Sequence, residues 1–239
     1  MGLGSKWSHP VCRLFSQAVS MNTPLSIQSL KQVAIGNFRT VYEHPEDRNL
    51  LIKVVRPEVC EKRWGSGAPW LDRRRRLKQY TLYFREIHEY LATCASEGTP
   101  PWFAQKITGL IETDCGIGLV TEALLGRDGN LAPTLKSMIA KDRFHDQEEA
   151  ALKLCVDAIV ESDLVIADLH PGNFVYTYSE NKGDYFVLID GIGSTSAIPV
   201  KIWFRGLNLR SKRSKVEQLY RRIAKERIKQ AKSLDVGIQ

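Results

Sequence analysis

The segment Ile166-Ala167-Asp168-Leu169-His170-Pro171-Gly172-Asn173, with the run Tyr185-Phe186-Val187-Leu188-Ile189-Asp190-Gly191 after it, constrains this chain more than any other feature. An acid, an Asn five residues on, and a second acid closing an apolar strand form a recurring phosphoryl-transfer constellation. The first acid accepts or orients a hydroxyl proton. The Asn and the second acid offer hard oxygen ligands at short range, which magnesium requires and which His or Cys would not provide. On this reading Asp168 is the catalytic base, and Asn173 and Asp190 hold the metal.

The other parts that such chemistry needs can be sought upstream, in a fixed order. Leu50-Leu51-Ile52-Lys53-Val54-Val55 is an apolar run interrupted by one Lys. A charge inside such a run is costly unless it is paired or meets a ligand. In protein-kinase-like folds a Lys on this strand contacts the α- and β-phosphates of ATP and pairs with a Glu from the next helix. A helix is expected from Leu77 to Leu91, where Tyr80, Phe84, Ile87, Tyr90 and Leu91 recur at three- and four-residue spacing. Glu86 is the candidate partner of Lys53, with Glu89 in reserve. Before the Lys strand, Val33-Ala34-Ile35-Gly36 and Val41-Tyr42 read as two strands joined over the nucleotide, with Gly36 and Arg39 at the turn. Thr121-Glu122-Ala123-Leu124 falls at the adenine hinge, where backbone amides and carbonyls meet the base, so Glu122 joins the nucleotide-binding set. The order of parts predicts an α+β, bilobal protein-kinase-like fold with a small antiparallel-sheet N-lobe and an abbreviated, mainly helical C-lobe.

Ile35-Gly36, then Arg39-Thr40-Val41-Tyr42-Glu43-His44-Pro45-Glu46-Asp47, then Ile52-Lys53-Val54 resembles the YrbL family of small bacterial kinase-like proteins, described as members of the PhoP regulatory network. Arg85-Glu86-Ile87, Glu112-Thr113-Asp114, Gly118-Leu119-Val120 and the Asp168-to-Asn173 segment fit the same family, over roughly residues 31 to 210. The resemblance implies a kinase-like fold and a place in a response to magnesium limitation or envelope stress. It names no substrate.

Each motif has a plainer reading. Asp-Gly after a strand is usually a hairpin turn. Lys53 alone reads as an edge-strand Lys that discourages sheet pairing, and Glu86 alone as a solvated helix residue. Only their joint order favours the kinase-like reading. Two departures weigh on catalysis. Gly36 stands alone where a Gly-rich loop has three glycines, so Arg39 is expected to share the phosphate grip. Ile166-Ala167 replaces the usual His-Arg before the base, which argues against control by activation-loop phosphorylation. No Ala-Pro-Glu follows Gly191. His170 could assist proton transfer, but hydrogen bonding to the loop backbone is the favoured role. Pro171-Gly172 sets the turn that aims Asn173.

At 239 residues, 43% hydrophobic and 26% charged, the chain has the composition of an ordinary globular protein able to bury a core. No stretch reaches the ~18 apolar residues of a membrane span. Its five cysteines are scattered without C-x-x-C spacing, as expected for reduced thiols in the cytoplasm. Residues 1–24 are expected to be a poorly ordered extension; Met21-Asn22-Thr23-Pro24 reads as a fresh start, with Met21 as an alternative initiator. Residues 25–122 should form the N-lobe and 123–239 the C-lobe with a basic terminal helix. Strands are expected across about 31 to 55, at Trp102–Ile111 and at Gly118–Glu122. Helices are expected at 133–140 and 147–162, the second with Ala151, Leu154, Cys155, Ala158 and Ile159 on one face. Phe174–Tyr178 and Tyr185–Ile189 should pair as a hairpin.

Charge is uneven. Residues 201–239 carry 12 Lys or Arg against three acids, more than accounting for the chain's net +7. From Ser214 to Leu234, Val216, Leu219, Tyr220, Ile223, Ile228 and Ala231 space out as a basic amphipathic helix. Three roles compete for it: packing on the C-lobe, contact with an anionic partner such as RNA or lipid headgroups, and binding of an acidic or phosphorylated substrate. No RNA-binding motif with interleaved aromatics accompanies it, which weighs against nucleic acid. The expectation is a cytoplasmic, Mg-ATP-dependent phosphotransferase with an acceptor that the sequence does not name. The alternative is a pseudokinase acting as a nucleotide-sensing or scaffolding regulator.

Overall fold

The computed structural model describes residues 24–193 and 205–236, and the fold is α+β. The extension expected at residues 1–24 lies almost wholly outside the described residues. Two compact units divide the chain. Of the described residues, the first takes those up to Phe84 together with Lys106–Ala123; the second takes Arg85–Gln105 and those from Leu124 onward.

The first unit is built on five antiparallel strands: β1 (Gln32–Ile35), β2 (Arg39–Glu43), β3 (Leu50–Val55), β4 (Ile107–Thr113) and β5 (Gly116–Glu122), in the order β1-β2-β3-β5-β4. Between β3 and β4 come the short helices α1 (Pro57–Trp64) and α2 (Trp70–Arg73), then α3 (Thr81–Glu97). A five-stranded sheet with a long helix inserted after its third strand is the small-lobe plan of a kinase. Register fixes which side chains share a face. Thr40 lies opposite Val54 and Tyr42 opposite Ile52, and Ile52, Val54 and Tyr42 pack with Ile27, Leu25 and Ile111 on one side. Strand residues alternate faces, so Val41, Lys53 and Val55 turn to the other side with Arg39. The basic run Arg73–Arg76 is exposed, as a solvated face requires.

The helix α3 starts four residues later than its apolar spacing suggests and runs six further. Its buried positions are Tyr83, Glu86, Glu89, Tyr90, Thr93 and Cys94, while Phe84 is 55% exposed. The spacing of large apolar residues mistook the buried face because two glutamates sit on it. The strand expected at Trp102–Ile111 is also split. Phe103 and Gln105 exchange backbone hydrogen bonds with Leu188 of the second unit, and β4 begins only at Ile107.

The second unit has α4 (Leu135–Ala140), α5 (Asp146–Glu161), the hairpin of β6 (Phe174–Ser179) and β7 (Gly183–Leu188), and a C-terminal helix (Arg205–Val236). Its core gathers Leu152, Cys155, Val156 and Ile159 of α5 with Phe174, Phe186, Leu188, Leu219 and Ile223. Leu154, expected on that face, is 67% exposed; the buried stripe is turned by one position toward Leu152 and Val156. The C-terminal helix buries Leu219 and Ile223, with Val216 and Tyr220 packed alongside, so the packing role expected of it holds over this stretch. Ile228 does not continue the stripe and is 57% exposed.

Candidate functional site

The eight candidate residues fall into two sets. Gly36, Arg39, Lys53 and Glu122 belong to the first unit; Glu86, Asp168, Asn173 and Asp190 belong to the second.

In the first unit the turn between β1 and β2 closes with Gly36 N–H donating to the Arg39 carbonyl at 2.8 Å. Arg56, just past β3, braces this turn: its amide donates to the Phe38 carbonyl (2.9 Å) and its guanidinium to that of Gly36 (3.3 Å). Arg39 pairs with Val55, and Lys53 with Val41 on one side and Leu119 on the other. Both cations lie on one sheet face and are buried, 6% and 5% exposed. The Tyr83 hydroxyl donates to the Lys53 carbonyl at 2.8 Å and so ties the start of α3 to the strand. At the end of β5 the Glu122 amide donates to the Lys106 carbonyl, and its carboxylate accepts from Lys106 N–H at 2.8 Å.

In the second unit three sequence-distant segments converge. The Gly191 carbonyl accepts from the amides of Ala167 (2.7 Å) and Asp168 (3.2 Å), and Ile189 N–H donates to the Asn173 carbonyl at 2.8 Å. A Cβ at Gly191 would overlap the Asp168 carbonyl and lie 3.2 Å from Asn173 Nδ2; its φ of +88° also excludes most side chains. Asp168, Asn173 and Asp190 are thus held within one small cluster, and Asp190 Oδ1 accepts from the Gly191 amide at 2.6 Å. Gly193 then passes close against the α3 backbone, where a Cβ would stand 2.8 Å from the Arg85 side chain and 3.3 Å from its carbonyl. Glu86, the next residue, is 7% exposed on that helix. Its reserve, Glu89, is engaged elsewhere: the carboxylate accepts from the Val165 amide at 3.1 Å, just before the loop.

His170 Nδ1 accepts from Gly172 N–H at 3.0 Å, the backbone role favoured for it. Burial first, and then the neighbouring Arg222 charge, hold its pKa below the ordinary histidine value.

Among the described residues no three His, Cys, Asp or Glu side chains gather as a metal cluster, and no helix is long and apolar enough to cross a membrane.

A family model described as PhoP regulatory network protein YrbL matches residues 25–225. The chain belongs to that family. Two curated relatives, both called uncharacterized protein YrbL, come from Escherichia coli strain K12 and Shigella flexneri. Each is 28% identical over 190 residues, covering 78% of this chain and 80% of its own. Among solved structures, the kinase domain of Mycobacterium tuberculosis PknI matches with a TM-score of 0.40 and 18% identity, covering 69% of this chain and 59% of that one. The kinase-like reading of this family member rests on its own strand order and on the loop and hairpin just described.

Sequence reasoning missed the residues that fasten the loop. Asn208 Nδ2 donates to the Asp163 carbonyl at 3.1 Å, and Lys212, only 1% exposed, donates to that of Ser162 at 2.5 Å. Arg222 donates to Asp168 Oδ1 and to the Leu169 carbonyl, both at 2.8 Å. All three lie on the stripe of the C-terminal helix that carries Leu219 and Ile223. Extending the apolar stripe to polar positions at the same spacing would have found them.

Proposed function

We propose that the chain is a Mg-ATP-dependent phosphotransferase. One observation supports the reading: Gly191 meets all three residues, its carbonyl accepting from the Asp168 amide, its amide donating to Asp190 Oδ1 and its Cα lying against the Asn173 side chain. The donor set fits magnesium, which takes one or two protein oxygens and leaves its other positions to phosphates and water. Asn173 and Asp190 would hold it. Bound there, it would neutralise charge that develops on the transferred phosphoryl group.

The chain's own groups do the rest. Lys53 and Arg39 would face the nucleotide phosphates from one side of the sheet, fixed by strand register and not by a flexible glycine loop. Asp168 would accept the proton of the acceptor hydroxyl as that oxygen bonds to the γ-phosphorus and ADP departs. Pre-placed charge of this kind is the main accelerating term in phosphoryl transfer. Membership of the PhoP network family fits a role in a response to magnesium limitation.

A second reading has its own support. Arg222 occupies Asp168 Oδ1, and the β1–β2 turn has a single glycine, so a nucleotide-sensing pseudokinase that works through protein contacts is the alternative.

Calorimetric titration of ATP, with and without magnesium, into wild type and Asp190→Ala separates the readings from failure. Magnesium-dependent binding that is lost in the variant is the expected result for the metal assignment. Phosphate transfer that vanishes in Asp168→Ala would then distinguish enzyme from sensor. Absence of nucleotide binding at millimolar ATP would overturn both nucleotide readings.

A further inference from the structure

A cavity of about 410 Å³ opens beside the candidate base. Ala167 and Asp168 form one side, and Leu207, Arg210, Ser214 and Lys215 are among the residues of the C-terminal helix on the other. Leu207, Arg210 and Ser214 follow at three- and four-residue spacing, and Lys215 lies four residues beyond Ser211 of the same wall, so the lining forms one side of the helix. This volume suits a small molecule. The wall is polar except for Ala167 and Leu207, and its two cations outnumber the one carboxylate.

The chemistry on each side is different. Asp168 Oδ1 is taken by Arg222, while Oδ2 accepts no hydrogen bond from the described residues, so one oxygen is free to meet a hydroxyl. Arg210 presents a planar fork suited to phosphate or carboxylate. Lys215 Nζ, at 2.9 Å from Ser211 Oγ, adds a point charge one turn further along. The neighbouring stripe of the same helix is fastened by Asn208, Lys212 and Arg222 to the loop that carries Asp168. Base and cations are therefore held by one rigid support, as a positioned acceptor needs.

We infer that this cavity is the phosphoryl-acceptor site, and that the acceptor is a small hydroxyl compound carrying a phosphate or carboxylate group. The anionic group sits on Arg210 and Lys215 and the hydroxyl faces Asp168. The inference rests on the phosphotransferase reading for its chemistry, though the anion site can be tested without nucleotide.

Inorganic phosphate is the first probe, titrated calorimetrically at low salt into the full chain, with and without saturating Mg-ATP. The double variant Arg210→Ala/Lys215→Ala should bind phosphate at least tenfold more weakly, while Arg221→Ala/Lys225→Ala, on an exposed part of the same helix, should leave it unchanged. Circular dichroism confirms folding of each variant, and Arg210→Gln/Lys215→Gln repeats the measurement with side-chain volume kept. Glycerol 3-phosphate should displace phosphate, and glycerol should not. Phosphate binding that is absent, or indifferent to both pocket variants, overturns the inference. So does displacement by an acidic serine peptide but not by glycerol 3-phosphate. Mg-ATP affinity, measured on the same samples, should stay within about twofold in the pocket variants. Its absence in wild type would sink the nucleotide reading alone.

Discussion

The two units place their candidate residues by different means. In the first, Arg39 and Lys53 are set by antiparallel pairing, Arg39 with Val55 and Lys53 with Val41 and Leu119; a slip of one residue would turn both to the opposite face. In the second, Asp168 sits on an irregular loop whose local bonds begin only at His170, and its position comes from Gly191, Glu89, Asn208, Lys212 and Arg222. Register is repeated along whole strands, so each pair supports the next. The loop hangs on single side-chain tethers from 44 to 76 residues away, so it is the part of the site most exposed to changes elsewhere in the chain.

The largest effect is expected where a tether is buried. Lys212→Ala removes the donor to the Ser162 carbonyl and leaves a void in a fully buried position, costing about 3 kcal/mol in chemical unfolding. Lys212→Met, which keeps the volume, should cost less, and both should speed amide exchange at residues 162–170. A cost confined below about 0.5 kcal/mol would mean that the loop does not depend on this tether.

Gly191→Ala tests the crossing point, with Gly129→Ala as its partner at a similar positive φ but with open space around it. Gly129→Ala should cost roughly 1 kcal/mol for the conformation alone. Gly191→Ala should cost about twice that and weaken magnesium-dependent ATP binding. Equal costs would show that the loop and the hairpin end adjust independently.

Along the C-terminal helix, Ile223→Ala should cost about 2–4 kcal/mol as a core cavity, and Ile228→Ala no more than about 0.5. The reversed ranking in a urea melt would break the assigned face. Arg222→Ala is a quieter change. Its pair with Asp168 is half-exposed, so stability should fall by under about 1 kcal/mol, while loop exchange rises.

The smallest effect is one of pH. His170 has a folded pKa below its ordinary 6.5, mainly through burial, so the unfolded chain binds the extra proton more readily. Its contribution is intact above about 6.5 and is lost as pH falls toward the folded pKa. His170→Asn should flatten that part of the stability profile; an unchanged profile would assign the slope to other groups.

These contrasts also explain what could be read from sequence. The strands of the first sheet, the hairpin, and the motif that unites Asp168, Asn173 and Asp190 follow from period-two patterns and short spacings. The face of α3 did not, because Glu86 and Glu89 occupy positions where an apolar residue was sought. Phe103–Gln105 looked like the start of β4, yet their backbone partner is Leu188, and nothing in a β-prone run says which strand it will join. Lys212 and Asn208 precede Ser214, where the basic helix was expected to begin, so no position of its stripe marked them; the helix in fact starts at Arg205.

The Arg222–Asp168 bond also sets an order of events during synthesis. The two residues are 54 positions apart, and a ribosome adding roughly 5–20 residues per second takes about 3–11 s to bridge that distance. During that interval the emerging chain carries the aspartate without its guanidinium partner. A message truncated before this helix would yield polypeptides that never complete the arrangement, so the loop is finished only after a segment made well behind it has emerged.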